Sequence, residues 1–592
     1  MSISTPSTLT RIALTIATIA TIAGSLTAAA QVQPPMPQPP APQPAVPLPA
    51  AHEHEVPLAR VPGGIRFLGS AGFLDYDRGV APSNRPLTPL VLFASDRMEP
   101  PEALRPGEIQ GRTVEYNWPF LDALDIGGDT HCAFPLINGE VRELVFVHKE
   151  TFGEQQYNWY GQIAGIPASD FILSRYREAI VLEVRDYDRK ERFSVRFAPP
   201  IGDLPPRNTL ILPGAEPASG WCETPSPSPV NPPGGDDGGV DIGNGGDGNF
   251  GITSAADPTN VVDVLFLASV EYRGLLNNST DQLRGVAQFL VADFNMRSAN
   301  SNTGVVMRVA GVDLIPGYQE AASGSTDLAA MRSSSGNFVS LPSVRSMVRA
   351  DHVVLLRRYK WPSGTGSGNT LGVAYRPISL QNATADLGFS VVCSENDWAA
   401  TFSHEIGHNF GACHDAAQGA CSSAVTSSPH GKRWSCNRLA CTDHWHTTMA
   451  YANNSGTVCS ASTRVPYFSN PALTFVTPAG CSNFVLGDSI SNVAGLIQTS
   501  RPRVSQWQIG SSRRWVDASY GQGGTGTYFT PYGRVSTAVA LVSGGTAQGQ
   551  VFVSGGVYNE TSLAGGRVVY SNPCVVTIVG GPNSSFGPAL LR

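Results

Sequence analysis

The chain has no CxxC pair, no basic excess and, beyond its first 30 residues, no uninterrupted apolar run of about 18 residues. The first absence favours disulfides in an oxidising compartment over zinc ribbons for the ten cysteines. The second excludes a general nucleic-acid binder: net charge is -7 and the pI is near 5.9, so no basic face is available for phosphates. The third excludes stable membrane insertion of the mature chain. Charged residues are also scarce, at 15%, against 41% hydrophobic residues, 62 Gly and 46 Pro. That balance suits a globular protein with long linkers and rules out a coiled coil or a mostly disordered chain. At 592 residues the chain is too long for one core and divides into several domains.

Residues 1–30 read as a signal peptide, with Arg11 as the positive region, Ile12 to Ala23 as the apolar stretch and Ala28-Ala29-Ala30 as the cleavage site. Residues 31–50 hold nine prolines and form an extended spacer. Residues 51–222 alternate in short segments such as Val141–Val147 and Ala179–Val184, which predicts a β-rich region without a catalytic cluster of its own. Residues 223–250 are Pro-, Gly- and Asp-rich and read as a solvated linker. Their acidic groups make calcium possible, but the spacing fits no calcium-binding EF-hand loop.

From 251 to 510 the pattern changes to alternating strands and helices. Val261–Ala268 is an almost continuous apolar run, as a buried parallel strand would be. A helix is expected near 281–296, where Leu283, Val286, Leu290 and Phe294 share one stripe. Further strands are expected at Val305–Val312, His352–Leu356, Leu371–Arg376 and Phe389–Val392, giving an α/β domain with a mostly parallel sheet. His352 reads as a packed core histidine. Residues 511–592 turn rich in Gly, Ser, Thr and Val and resemble the opening of a parallel β-helix, with a β-sandwich equally open. This C-terminal region is a candidate for surface or polysaccharide contact.

Chemistry concentrates in His404-Glu405-Ile406-Gly407-His408-Asn409-Phe410-Gly411-Ala412-Cys413-His414-Asp415. On a helix, His404 and His408 lie one turn apart on one face, and Glu405 lies next to that face. Gly411 lets the chain leave the helix sharply, and the turn brings His414 round as a third ligand. Three neutral nitrogens with an open fourth position describe a catalytic zinc site rather than a structural one. Ser394-Glu395-Asn396-Asp397 is suited to capping this helix.

This elongated motif resembles the metzincin metallopeptidases. Thr447-Thr448-Met449-Ala450-Tyr451, with its methionine 35 residues after His414, matches their Met-turn, and Asp415 resembles the reprolysin (adamalysin-type) branch. The run from Val261 to about Trp507 is similar to secreted bacterial reprolysin-like and peptidyl-Asp metallopeptidases. The resemblance implies a twisted mixed sheet, an active-site helix and a small lower subdomain. It implies one zinc ion on His404, His408 and His414, Glu405 as general base and Met449 as an apolar floor. The implied reaction is hydrolysis of peptide bonds in proteins by zinc-activated water, with Leu371–Arg376 as the edge strand that pairs with an extended substrate. Tyr451 matches a metal-binding tyrosine of astacin and serralysin relatives that the reprolysin branch usually lacks; packing beside the Met-turn is the other reading. Latency through a prodomain thiolate would fall to Cys222 or Cys132, with an ordinary disulfide as the alternative, and a disulfide is the expected role of Cys413.

The expectation is therefore an exported zinc metalloendopeptidase made as a zymogen, with 51–222 as its prodomain. The rival is a secreted binding or adhesion protein whose protease-like domain is inactive; intact Glu405 favours the enzyme. Arg433 and Arg464 read as solvated surface charges, recognition of acidic side chains being the alternative.

Overall fold

The computed structural model describes most of residues 80–213, residues 222–223, most of 260–505 and short segments between 507 and 578. The expected signal peptide, the Pro-rich spacer, most of the 223–250 linker and the capping residues 394–397 lie outside the described residues.

The N-terminal region is one antiparallel sheet closed at one end by a parallel pair. Its strands are β1 (Thr88–Pro89), β2 (Val91–Met98), β3 (Glu108–Tyr116), β4 (Thr130–Pro135) and β5 (Val141–Gly153), followed by β6 (Gln156–Ile163), β7 (Ile166–Tyr176), β8 (Ala179–Asp186), β9 (Glu191–Ala198) and β10 (Arg207–Pro213). They run in the order β1-β4-β5-β6-β7-β8-β9-β10-β3-β2. A short helix, α1 (Trp118–Ala123), starts on Asn117, whose side chain accepts the Phe120 N–H. One face of this sheet, with Phe134, Phe146, Trp159, Phe171 and Leu182, forms a core of its own around α1. The period of two sends the other side chains of β7 and β8 to the opposite face, and that face is covered as well.

What covers it is α3 (Thr280–Asn300), which follows β12 (Val261–Ala268) and α2 (Val270–Leu275). Ser279 caps α3 by accepting the Gln282 N–H. The stripe expected from spacing is buried, but so is nearly every other residue of the helix, because it has sheet on both sides. Tyr160, Ile172, Tyr176 and Val181 of the N-terminal sheet share one core with Val286, Leu290 and Phe294 of α3 and with Phe402 farther along the chain.

The second sheet contains β13 (Val306–Val312), β14 (His352–Arg357), β17 (Gly372–Ala374), β18 (Phe389–Cys393), β12 and β11 (Cys222–Glu223), in the order β11-β17-β18-β14-β12-β13. Strands β13, β12, β14 and β18 are parallel and β17 runs against β18. Strand β17 is shorter than the expected edge strand Leu371–Arg376 and is not itself the edge, because β11 pairs along its other side. A two-residue ladder, β15 (Trp361–Pro362) with β16 (Asn369–Thr370), precedes it. Helices α4 (Gly324–Arg332) and α5 (Leu341–Val348) cover one face of the sheet, and α3 with α6 (Trp398–Asn409) covers the other. His352 is wholly buried against the rings of Phe410 and Trp507, and burial drives its pKa down to about 3.

Beyond α6 lie β19 (Arg433–Asn437), β20 (Thr442–His446), β21 (Thr463–Arg464), the pair β22 (Thr474–Phe475) and β23 (Phe484–Val485), and α7 (Val493–Val504). Cys436–Cys481 bridges this part and Cys413–Cys421 ties the chain after α6, so Cys413 has its expected disulfide. In the C-terminal region β24 (Ser512–Val516) is parallel to β25 (Gly549–Val553), which pairs antiparallel with β28 (Cys574–Ile578), while β26 (Gly556–Asn559) and β27 (Arg567–Tyr570) form a hairpin. No described helix is long and apolar enough to cross a membrane.

Candidate metal centre

Helix α6 presents His404 and His408 one turn apart, and both are buried. The helix ends at Asn409, and Gly411 then takes φ +102°, a conformation that excludes most other residues and lets the chain turn back. That turn delivers His414. Its Nε2 lies 3.0 Å from His408 Nε2, which is itself 3.1 Å from His404 Nε2. Among the described residues this is the one group of His, Cys, Asp or Glu side chains able to converge on a metal ion.

The outer nitrogens decide what the inner ones offer. His404 Nδ1 lies 2.8 Å from the Thr448 carbonyl, and His408 Nδ1 lies 2.8 Å from the Ala412 carbonyl. A carbonyl only accepts, so each Nδ1 carries the proton and each Nε2 turns a lone pair inward. Burial pushes all three pKa values down, that of His408 to about 3, and so keeps the rings neutral. Buried acceptors facing one another without a proton between them suit a cation, and an imidazole set suits zinc.

Glu405 is fully buried beside His404, against β17. A Cβ on Gly372 would stand 2.2 Å from Glu405 Oε1, so only a glycine lets the carboxylate lie against the β17 backbone. Met449 sits beneath the helix between the two ligand positions: a Cβ on Gly407 would stand 2.3 Å from its Sδ. The expected ligands, base and Met-turn are thus brought to one place.

Residues 259–485 match the model of the reprolysin-like metallopeptidases, family M12B. This region is similar to reprolysin-like metallopeptidases. A peptidyl-Asp metalloendopeptidase of Stenotrophomonas maltophilia (strain R551-3) is 30% identical over 196 residues, 33% of this chain and 42% of that protein. Its counterpart in Xanthomonas campestris pv. campestris is 29% identical over 196 residues, 33% of this chain and 40% of that protein. The chain therefore spans less than half the length of these curated relatives. Among solved structures, metalloproteinase-II from Bacteroides fragilis is 11% identical and covers 50% of this chain and 85% of its own, at a TM-score of 0.30; a score that low carries no argument about arrangement.

Several residues that hold the candidate metal centre gave no signal in sequence spacing. Asn409 donates to the carbonyls of Tyr375 (2.8 Å), Leu387 (2.9 Å) and Phe389 (3.1 Å), pinning the end of α6 to β17 and β18. His430 Nδ1 holds the His414 carbonyl at 2.8 Å. Asp415 accepts the Tyr451 N–H at 3.1 Å and pairs with Arg433 at 2.6 Å, tying the third ligand's neighbour to the Met-turn. Arg297 donates to Thr448 Oγ1 at 3.3 Å, on the residue whose carbonyl orients His404.

Two expectations change. Tyr451 does pack beside the Met-turn, but its hydroxyl also lies 3.0 Å from His414 Nε2, at the centre itself. Arg464 is no solvated surface charge: it is 7% exposed, with Nε 3.3 Å from His446 Nε2, and its charge bears on His404. Arg433 is ion-paired as described. Of the two candidate switch thiols, Cys132 is excluded, because it is wholly buried in the separate core of the N-terminal sheet, where burial raises its pKa far above the usual value. Of Cys222 only the backbone is described; it pairs in β11 with Gly372, and Glu223 pairs with Val373.

Proposed function

We propose that the protein is an exported zinc metalloendopeptidase that hydrolyses peptide bonds in proteins. The observation that carries this reading is the convergence of three neutral histidine nitrogens beside a buried glutamate that lies on the β17 backbone. His404, His408 and His414 would hold the ion, in the orientation their Nδ1 hydrogen bonds impose. When bound, zinc supplies Lewis acidity toward the scissile carbonyl and the attacking water. Glu405 takes the water's proton and passes it to the departing amine, a task for which its buried carboxylate lies against β17, one residue along the helix from His404. Tyr451 keeps a phenolic O–H beside the ligand atoms, and β17 offers backbone groups to an extended substrate.

Latency is supported by β11. Its two residues run parallel to β17 and occupy the edge that a substrate strand would use, which supports a zymogen reading in which Cys222–Glu223 must be displaced before cleavage. The relatives' name, together with buried Arg464 near His404, supports aspartate beside the scissile bond as the preferred residue. Export is supported by the two disulfides.

The test is casein cleavage by the purified protein with and without a zinc chelator, beside Glu405→Ala, followed by paired Asp and Asn peptides. Chelator-sensitive cleavage that is absent from the variant supports the enzyme. A folded, zinc-loaded and processed protein that cleaves nothing would favour the binding-protein reading instead.

A further inference from the structure

The face of β7 and β8 turned to α3 carries Asp170, Glu183 and Arg185 among its apolar residues, and all three are buried. Arg185 gathers them: its Nε lies 2.6 Å from Glu183, Nη1 lies 3.3 Å from Asp170, and Nη2 reaches Asp293 of α3 at 2.5 Å. Asp293 continues inward. Its Oδ2 is 2.7 Å from Arg297 Nε and accepts the Ser403 hydroxyl of α6 at 3.1 Å. Arg297 in turn donates to Thr448, whose carbonyl holds His404. A continuous set of buried contacts therefore runs from the N-terminal sheet to a metal-ligand candidate.

A second set reaches the opposite side of the centre. Lys190, just past β8, pairs with Asp443 of β20 at 2.8 Å and lies 4.4 Å from the ring centre of Trp445. Strand β20 leads directly into the Met-turn. Between the two sets, Gln288 donates to the Tyr157 carbonyl (2.9 Å), Asn158 Oδ1 (2.9 Å) and the Arg175 carbonyl (3.2 Å). Gly285 approaches Ala179 so closely that a Cβ there would lie 3.2 Å from the alanine methyl. An interface with buried apolar, hydrogen-bonded and ionic contacts resembles a core divided in two, the form taken by obligate partners rather than by a detachable cover.

We propose that the N-terminal β-domain is a permanent half of the folded metallopeptidase, kept after any cut in residues 224–259, and that Arg185 is its positioning residue, acting on His404 through Asp293. The domain clamps the helix side and the Met-turn side of the centre, whereas among the described residues it is Cys222 and Glu223 that pair along the free side of β17. Loss of latency then requires displacement of β11, not loss of the domain. The inference rests on packing and holds whether or not the natural protein is cut.

The experiment uses the full chain with a site-specific protease sequence inserted within 224–259. After a cut confirmed on a denaturing gel, the two fragments should co-elute at the intact mass on native size exclusion, in low salt and in 1 M NaCl. Separate elution overturns the proposal. Casein cleavage before and after the cut reports on latency independently, so failure of the zymogen reading is distinguishable from failure of this one.

A second arm follows transfer of zinc from the loaded protein to a colorimetric chelator. Arg185→Met should speed release about tenfold or more, as loss of outer contacts to ligands does. Asp293→Asn should speed release to a similar degree, and Arg185→Met/Asp293→Asn no further, because the two residues act through one path to His404. Wild-type release from either single variant, or additive effects in the double variant, overturns the role of Arg185. Should Arg185→Met not fold, Asp293→Asn and the cut wild-type chain still decide the outcome.

Discussion

Strands β8 and β12 are both buried, yet they are built from different chemistry. β12 (VVDVLFLA) is a nearly unbroken apolar run whose interior place follows from composition. β8 (AIVLEVRD) is buried at all eight positions while carrying Glu183, Arg185 and Asp186. Its Ile180, Leu182 and Val184 enter the core of the N-terminal sheet. Its other face holds charges that, on alternation alone, belong in water. The difference teaches that a strand can be interior on a polar face when another element supplies the opposite charge, here Asp293 of α3.

The comparison is sharpened most by separating chemistry from scaffold. Glu405→Gln should lower peptide turnover by about 10³-fold or more while leaving one zinc per chain, measured by steady-state cleavage and metal analysis. Next in size, Arg185→Met should cost about 3–5 kcal/mol in urea unfolding, since it leaves Asp293, Asp170 and Glu183 with a buried deficit of positive charge. A loss below about 1 kcal/mol would mean that the polar face of β8 takes up water instead.

Gly407→Ala should cost about 1–3 kcal/mol, because its methyl group meets Met449 Sδ within the packed centre. A smaller effect follows from pH. Burial raises the Asp293 pKa, but Arg297 and Arg185 outweigh it and bring the value down to about 2. A depressed folded value means that this stabilisation is complete above the unfolded value near 3.8 and is lost as pH falls through about 2. Unfolding free energies of wild type and Asp293→Asn should therefore converge between about pH 4 and pH 2. Smallest of all, Glu140→Gln, which breaks the half-exposed pair with Arg189 at 3.2 Å and a 3.3 Å contact to Arg142 that leaves Arg142 its second partner, Glu191, should change stability by less than about 1 kcal/mol.

The metal-site motif could be read directly because its geometry is local. One helical turn places His404 beside His408, and Gly411 supplies the reversal that brings in His414. The parallel strands were equally readable, as Val261–Ala268 and Phe389–Cys393 are apolar but for Asp263 and Ser390. Spacing carried no information on Asn409 or His430, whose partners are backbone carbonyls 16 or more residues away, or on the contact of Arg297 with Thr448, 151 residues along the chain. Nor did it reveal that Arg464 is buried or that α3 has sheet on both sides.

By itself, then, the amino-acid sequence determined the candidate ligand set, the candidate base and the alternation of strands and helices, because each depends on residues within a turn or two of one another. Only the tertiary structure decided that β11 lies on the edge of β17, that Tyr451 points its hydroxyl at the centre and that the N-terminal sheet shares a core with α3. These contacts join residues remote in sequence, and their energy arises from burial and charge pairing that exist only once both partners are folded.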